Sequence, residues 1–140
     1  MLTSLTGTIL LVDDEDAVRL TLRRQIDTLG HTVLEAKHGI EALHIARTHH
    51  GKLDLVLTDA VMPMMNGTEL AATLLDEFPE LPIILMSAYV PTSLTRVGFR
   101  HAVVPVLRKP FESAELADII QMVLRRPRSP GSDSSATAAI

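Results

Sequence analysis

Asp13-Asp14, Asp59, Ser87 and Lys109 each stand at the end of an apolar run: residues 8–12, 55–58, 83–86 and 103–108. In a parallel sheet covered on both faces, strands read as continuous apolar runs and their C-terminal ends share one edge. Ligands of open α/β sheets bind at that edge, where the strand order reverses. Three carboxylates, a hydroxyl and an ammonium from distant parts of the chain therefore meet in one place. Two carboxylates about 4 Å apart repel by roughly 4 kcal/mol at an effective dielectric near 20, so three of them either take up protons or hold a cation. Oxygen ligands alone select a hard ion, Mg²⁺ or Mn²⁺, that keeps some of its waters. Lys109 supplies a fixed positive charge and Ser87 a small donor for phosphoryl oxygens. The economical assignment makes Asp59 a nucleophile toward phosphorus, with an aspartyl phosphate as product.

Five alternating strand and helix segments must position these groups. The strands are expected near residues 8–12, 31–36, 53–58, 83–86 and 103–107. The first helix spans about 16–29, with Val18, Leu22, Ile26 and Leu29 on one stripe and Gly30 as its stop. Asp16 is the expected cap of that helix. The second covers 39–48, with Leu43 and Ala46 inward, and the third 68–78, presenting Leu70, Leu74 and Phe78. Between the third strand and third helix lies a loop holding Met62, Met64 and Met65, expected to pack there, with Pro63 and Asn66-Gly67 as turn signals. A fourth helix is placed within 92–100, although threonine, serine, valine and Gly98 are mediocre or poor helix formers. The last helix carries Leu116, Ile119, Ile120, Val123 and Leu124 at helical spacing and ends at Arg125-Arg126. Right-handed crossovers give a doubly wound, five-stranded parallel sheet of order 2-1-3-4-5, a flavodoxin-like (βα)5 three-layer sandwich. Residues 1–126 form the domain, and 127–140, rich in Ser, Pro, Gly and Ala, form a disordered tail or linker.

Composition narrows the field further. The chain has 140 residues, 46% hydrophobic, and no cysteine, which excludes disulfides and thiolate metal sites. No apolar run reaches membrane-spanning length and no signal-peptide pattern opens the chain, so a cytoplasmic place and no membrane partner are expected. Residues 1–95 carry 6 basic and 13 acidic groups, a net of −7, while residues 96–128 carry 7 basic and 3 acidic groups, a net of +4. The basic flank reads as a partner surface rather than a nucleic-acid footprint. His44, His49 and His50 lack the i, i+4 pairing of a helical zinc site and read as surface residues.

Four stretches together, Ile9-Leu10-Leu11-Val12-Asp13-Asp14-Glu15, Leu57-Thr58-Asp59-Ala60-Val61-Met62-Pro63-Met64-Met65-Asn66-Gly67, Ile84-Leu85-Met86-Ser87-Ala88 and Lys109-Pro110-Phe111, resemble the receiver domains of two-component response regulators. The resemblance covers about residues 6–125. It implies that Asp59 accepts a phosphoryl group from the phosphohistidine of a sensor histidine kinase or histidine phosphotransfer protein. It further implies that Asp14, Asp59 and the Val61 carbonyl ligate Mg²⁺ while Asp13 acts through water. Ser87 and Lys109 would read the phosphoryl group, and the Lys109–Pro110 bond would be cis. Such a domain is not an enzyme in the ordinary sense, since it catalyses only its own phosphorylation and dephosphorylation. Its output face would comprise the fourth helix, fifth strand and last helix, with dimerisation on phosphorylation. The wording of residues 105–111 is similar to receivers attached to hybrid sensor kinases; a single-domain regulator and a receiver from a larger protein both remain open.

Val106 departs from the family pattern, which usually has an aromatic residue at that position. A relay from Ser87 then cannot end in rotation of a ring. Tyr89 is the only tyrosine and lies two residues after Ser87, where it could modify access to the site. Two other functions share parts of this pattern. An aspartyl-nucleophile phosphatase needs a second acid two residues after the nucleophile, and Val61 occupies that position. A flavodoxin-like cofactor binder needs a phosphate-cradling loop after the first strand, where this chain has Asp13-Asp14-Glu15-Asp16.

Overall fold

The computed structural model describes residues 5–49, 51–89, 94–99 and 102–126. Strands β1 (Thr8–Val12), β2 (Thr32–Ala36), β3 (Leu55–Asp59) and β4 (Ile83–Ser87) alternate with helices α1 (Asp16–Thr28), α2 (Gly39–Thr48) and α3 (Gly67–Glu77). Strands β5 (Leu94–Phe99) and β6 (Ala102–Arg108) and helix α4 (Ser113–Leu124) complete the order. The sheet runs β2-β1-β3-β4-β6-β5. Every pair from β2 to β6 is parallel, which is the expected five-stranded doubly wound sheet.

One element differs. The helix expected within 92–100 is, over Leu94–Phe99, an edge strand antiparallel to β6. Thr95, Val97 and Phe99 favour an extended chain, and Gly98 costs a helix about 1 kcal/mol relative to alanine. The register pairs Leu94 with Leu107 and Phe99 with Ala102, so the segment satisfies its backbone groups on the edge that β6 offers. The rest of the expected helix, like the 127–140 tail, lies outside the described residues.

Strand alternation splits the core into two layers. Leu10, Val12, Val56, Leu85 and Val106 face α2 and α3, where Leu43, Ala46, Leu70, Ala71 and Leu74 pack. Ile9, Leu11, Leu57, Ile84 and Met86 face α1 and α4, meeting Leu22, Ile26, Leu116, Ile119 and Ile120. Burial on both faces is what the continuous apolar runs required. Helix α1 ends as its glycine foretold. Gly30 takes φ +94°, its N–H donates to Asp27 O and that of His31 to Ile26 O, closing a Schellman turn. The helix start is corrected, because the cap is Glu15, without a side-chain bond. Asp16 is the first helical residue and pairs instead with Arg19 at 2.7 Å.

Candidate functional site

Register brings the acids together. Val12 lies beside Thr58 across β1 and β3, so the residues that follow, Asp13 just past β1 and Asp59 as the last residue of β3, come side by side at the C-terminal edge of the sheet. Asp13 is completely buried, Asp59 is 9% exposed and Ser87 is 7% exposed. Asp14 is exposed on the rim. One oxygen from each of Asp13, Asp14 and Asp59 lies within 4.8 Å of the others, the one such grouping of metal-capable side chains among the described residues. His44 is exposed and His49 bonds its ring to the Ile45 carbonyl at 3.1 Å; His50 lies outside the described residues.

Lys109 faces the cluster from the end of β6. Its Nζ is 3.4 Å from Asp59 Oδ1 and 3.5 Å from Asp13 Oδ2. The Lys109 N–H donates to the Ser87 carbonyl at 2.8 Å, which ties the lysine to the end of β4. The Lys109–Pro110 bond is cis, as expected. Ser87 Oγ accepts the N–H of Tyr89 at 3.0 Å, while the Tyr89 side chain is largely exposed. Val61 is 58% exposed, and its backbone N–H donates to the Asp59 carboxylate.

Burial pushes the Asp59 carboxyl above the ordinary range; the Lys109 ammonium pulls it down and the Asp13 charge raises it further. A buried carboxylate beside another buried carboxylate and a single ammonium is short of positive charge. The three carboxylates suit a hard divalent cation, because hard cations bind oxygen and the grouping holds no competing imidazole or thiolate.

The loop after Asp59 is shaped by packing. Met62 is buried, and Met65 packs against Gly39, where any β-carbon would lie 2.7 Å from its sulfur. Met64 departs from the expected packing: it is 73% exposed, at φ 69°. Asn66 caps α3, accepting from Glu69 N at 2.8 Å while Glu69 Oε1 accepts from Asn66 N at 3.1 Å.

Sequence reasoning missed Arg19 and the close approach at Gly67. Arg19 is 8% exposed and reaches the Asp13 carbonyl, Asp16 and Glu35. The available signal was its place three and seven residues before Leu22 and Ile26, on the buried stripe of α1. Gly67 was legible only as part of a turn.

A sequence profile of the response regulator receiver domain matches residues 9–121. The sensor kinase CckA of Brucella abortus (strain 2308) is 38% identical over 126 residues, which is 89% of this chain and 13% of that protein. The chain spans about half of the other curated relatives it matches, such as 50% of the response regulator MprA of Mycobacterium sp. (strain KMS) at 36% identity. The crystal structure of the receiver domain from the hybrid histidine kinase CckA superposes with a TM-score of 0.72 at 34% identity, covering 85% of this chain and all (100%) of that one. A receiver of the sensor histidine kinase PA1611 from Pseudomonas aeruginosa PAO1, with a magnesium ion coordinated in its active site cleft, shares the fold at 24% identity. Its TM-score is 0.72, and the match covers 87% of this chain and 100% of that one. With the profile spanning most of the chain and a relative 34% identical superposing over its whole length, this chain belongs to the response regulator receiver domain family of two-component systems.

Proposed function

We propose that Asp59 is the phosphoacceptor of a two-component phosphorelay. The observation that carries this reading is the convergence on one strand edge of the Asp59 carboxylate, the Lys109 ammonium at 3.4 Å and two further carboxylates. An Asp59 oxygen attacks phosphorus, the bond from phosphorus to the donor's imidazole nitrogen breaks, and the imidazole leaves with that electron pair. Lys109 and the Ser87 hydroxyl receive the phosphoryl oxygens, offering charge and a donor where negative charge gathers. Asp13, Asp14, Asp59 and the Val61 carbonyl would hold Mg²⁺, or Mn²⁺, with Asp13 acting through water. When bound, the ion supplies the positive charge that three carboxylates and a phosphoryl group together lack. The magnesium of the PA1611 receiver supports this donor chemistry by analogy of fold.

The phosphoryl donor is a sensor histidine kinase or a histidine phosphotransfer protein, and turnover is limited to the domain's own phosphorylation and dephosphorylation. An open groove of about 590 Å³ adjoins Lys109 between α1 and the 109–111 turn, lined by Val18, Leu22, Ala88, Pro110 and Phe111 among others. This groove, reaching the site at Lys109, is the face we assign to a macromolecular donor. The output surface is read as β5, β6 and α4, the basic flank of the chain, which favours an acidic patch on a protein partner over nucleic acid. Dimerisation on phosphorylation and a cytoplasmic setting belong to the same proposal; no described helix is long and apolar enough to cross a membrane.

Incubation with acetyl phosphate and Mg²⁺ tests the reading. One phosphoryl group should be added, labile to base and hydroxylamine as an acyl phosphate is. Asp59→Asn should lose it, and labelling that persists in that variant overturns the assignment.

A further inference from the structure

Arg19 is an ionised side chain only 8% exposed, and each of its three guanidinium nitrogens makes a directed hydrogen bond. Its Nη1 donates to the Asp13 carbonyl at 2.8 Å, its Nη2 to Asp16 Oδ1 at 2.7 Å and its Nε to Glu35 Oε1 at 3.1 Å. Glu35 sits on β2 opposite Leu11 and also accepts from Arg23 at 2.5 Å. The guanidinium thus joins the start of α1, the end of β1 and an interior position of β2.

The target that matters is the Asp13 carbonyl, because it belongs to the peptide that links Asp13 to Asp14. That peptide sets where both carboxylates point. Asp13 is otherwise held by its own N–H donating to the Ala36 carbonyl at 3.2 Å, by Glu15 N–H donating to its Oδ1 at 2.9 Å and by Lys109 Nζ at 3.5 Å from its Oδ2. Asp14, exposed on the rim, follows directly on that peptide.

We propose that Arg19 is a positioning residue for the cation site, fixing the Asp13–Asp14 peptide from behind so that both carboxylates face the ion together. The inference rests on the reading of the acidic cluster as a cation site. Arg19 acts by geometry more than by charge, since Asp16 and Glu35 already balance its charge locally. A planar fork can hold a carbonyl and two carboxylates at once, whereas a lysine ammonium cannot reproduce that arrangement. Groups that orient metal ligands from behind typically change metal affinity by about 10- to 100-fold when removed.

The test uses Arg19→Met and Arg19→Lys in the full chain, with Mg²⁺ titrated against melting temperature and against the rate of acetyl phosphate labelling. The Mg²⁺ midpoint should rise about tenfold in both variants, while the labelling rate at saturating Mg²⁺ returns close to that of the wild type. A lower melting temperature with an unmoved midpoint means that Arg19 only supports the fold, and overturns the inference. Full recovery of the midpoint in Arg19→Lys means that charge alone suffices, and also overturns it. Should Arg19→Met fail to fold, Arg19→Lys decides alone. A wild type whose melting ignores Mg²⁺ brings down the cation reading itself, which is a different failure from an unmoved midpoint in a responsive protein.

Discussion

A β-carbon on Gly67 would lie 2.1 Å from the carbonyl oxygen of Asp59. The first turn of α3 therefore rests directly on the peptide that follows Asp59, and the Gly67 N–H donates to the neighbouring Ala60 carbonyl at 2.9 Å. Relieving the clash in Gly67→Ala requires α3 or the end of β3 to move, and forced overpacking costs about 1–3 kcal/mol. Urea unfolding should show a loss near the upper end of that range, with slower acetyl phosphate labelling because Asp59 shifts. An unchanged midpoint and rate would show that the contact relaxes freely.

Divalent cation should stabilise the folded state by mass action, about 2.7 kcal/mol at a hundredfold excess over the dissociation constant. Melting temperature should climb with millimolar Mg²⁺ in the wild type. Asp14→Ala removes one of three crowded carboxylates; it should melt higher than the wild type without metal and respond little to Mg²⁺. The same Mg²⁺ response in both proteins would put the ion elsewhere.

The raised Asp59 carboxyl has a definite sign in stability. Burial, opposed by Lys109 and reinforced by Asp13, makes the native state hold that proton more tightly than the unfolded chain does. The associated stability is present at low pH and lost as pH rises through the native value. At neutral pH and without metal, Asp59→Asn should melt a few degrees above the wild type, and the gap should close on acidification. Calorimetric scans across pH check this, and a gap that widens in acid contradicts it.

Lys109 offsets the charge of a fully buried Asp13 while remaining partly exposed itself. Its removal in Lys109→Ala should cost about 1–2 kcal/mol without metal, less than the loss of one partner from a fully buried pair. Mg²⁺ should restore part of this, since a cation again faces the carboxylates. Urea midpoints with and without Mg²⁺ measure both effects, and a variant as stable as the wild type would show that the ammonium contributes nothing.

Val106 is 3% exposed, lies between Leu85 and Thr95 in the sheet, and carries a β-branched side chain that cannot swing between two pockets as a ring can. The response to phosphorylation should therefore pass through the chain after Ser87 and the edge strand β5. Hydrogen exchange with and without beryllofluoride should change over residues 87–99, with little effect at Val106. A response confined to α1 would defeat this route.

How much of this was legible beforehand divides along physical lines. The apolar runs ending in Asp13, Asp59, Ser87 and Lys109 carried the sheet and the membership of the site, because a strand buried on both faces must be apolar throughout and its polar successor must emerge at the edge. Helical spacing in α4 and the glycine stop of α1 were equally local signals. Residues 94–99 carry no such signal. Their helix propensity is weak, and the free edge of β6 decided for a strand by accepting their backbone hydrogen bonds. Arg19 and Gly67 depend on tertiary structure in the same way. A guanidinium has no visible purpose until the Asp13 carbonyl and Glu35 arrive from two different strands, and a glycine looks like a turn until another backbone occupies the space of its missing side chain. Periodicity records what each segment buries, so the strands and the acids could be read from it; the partners that hold those acids in place were chosen only when distant segments met.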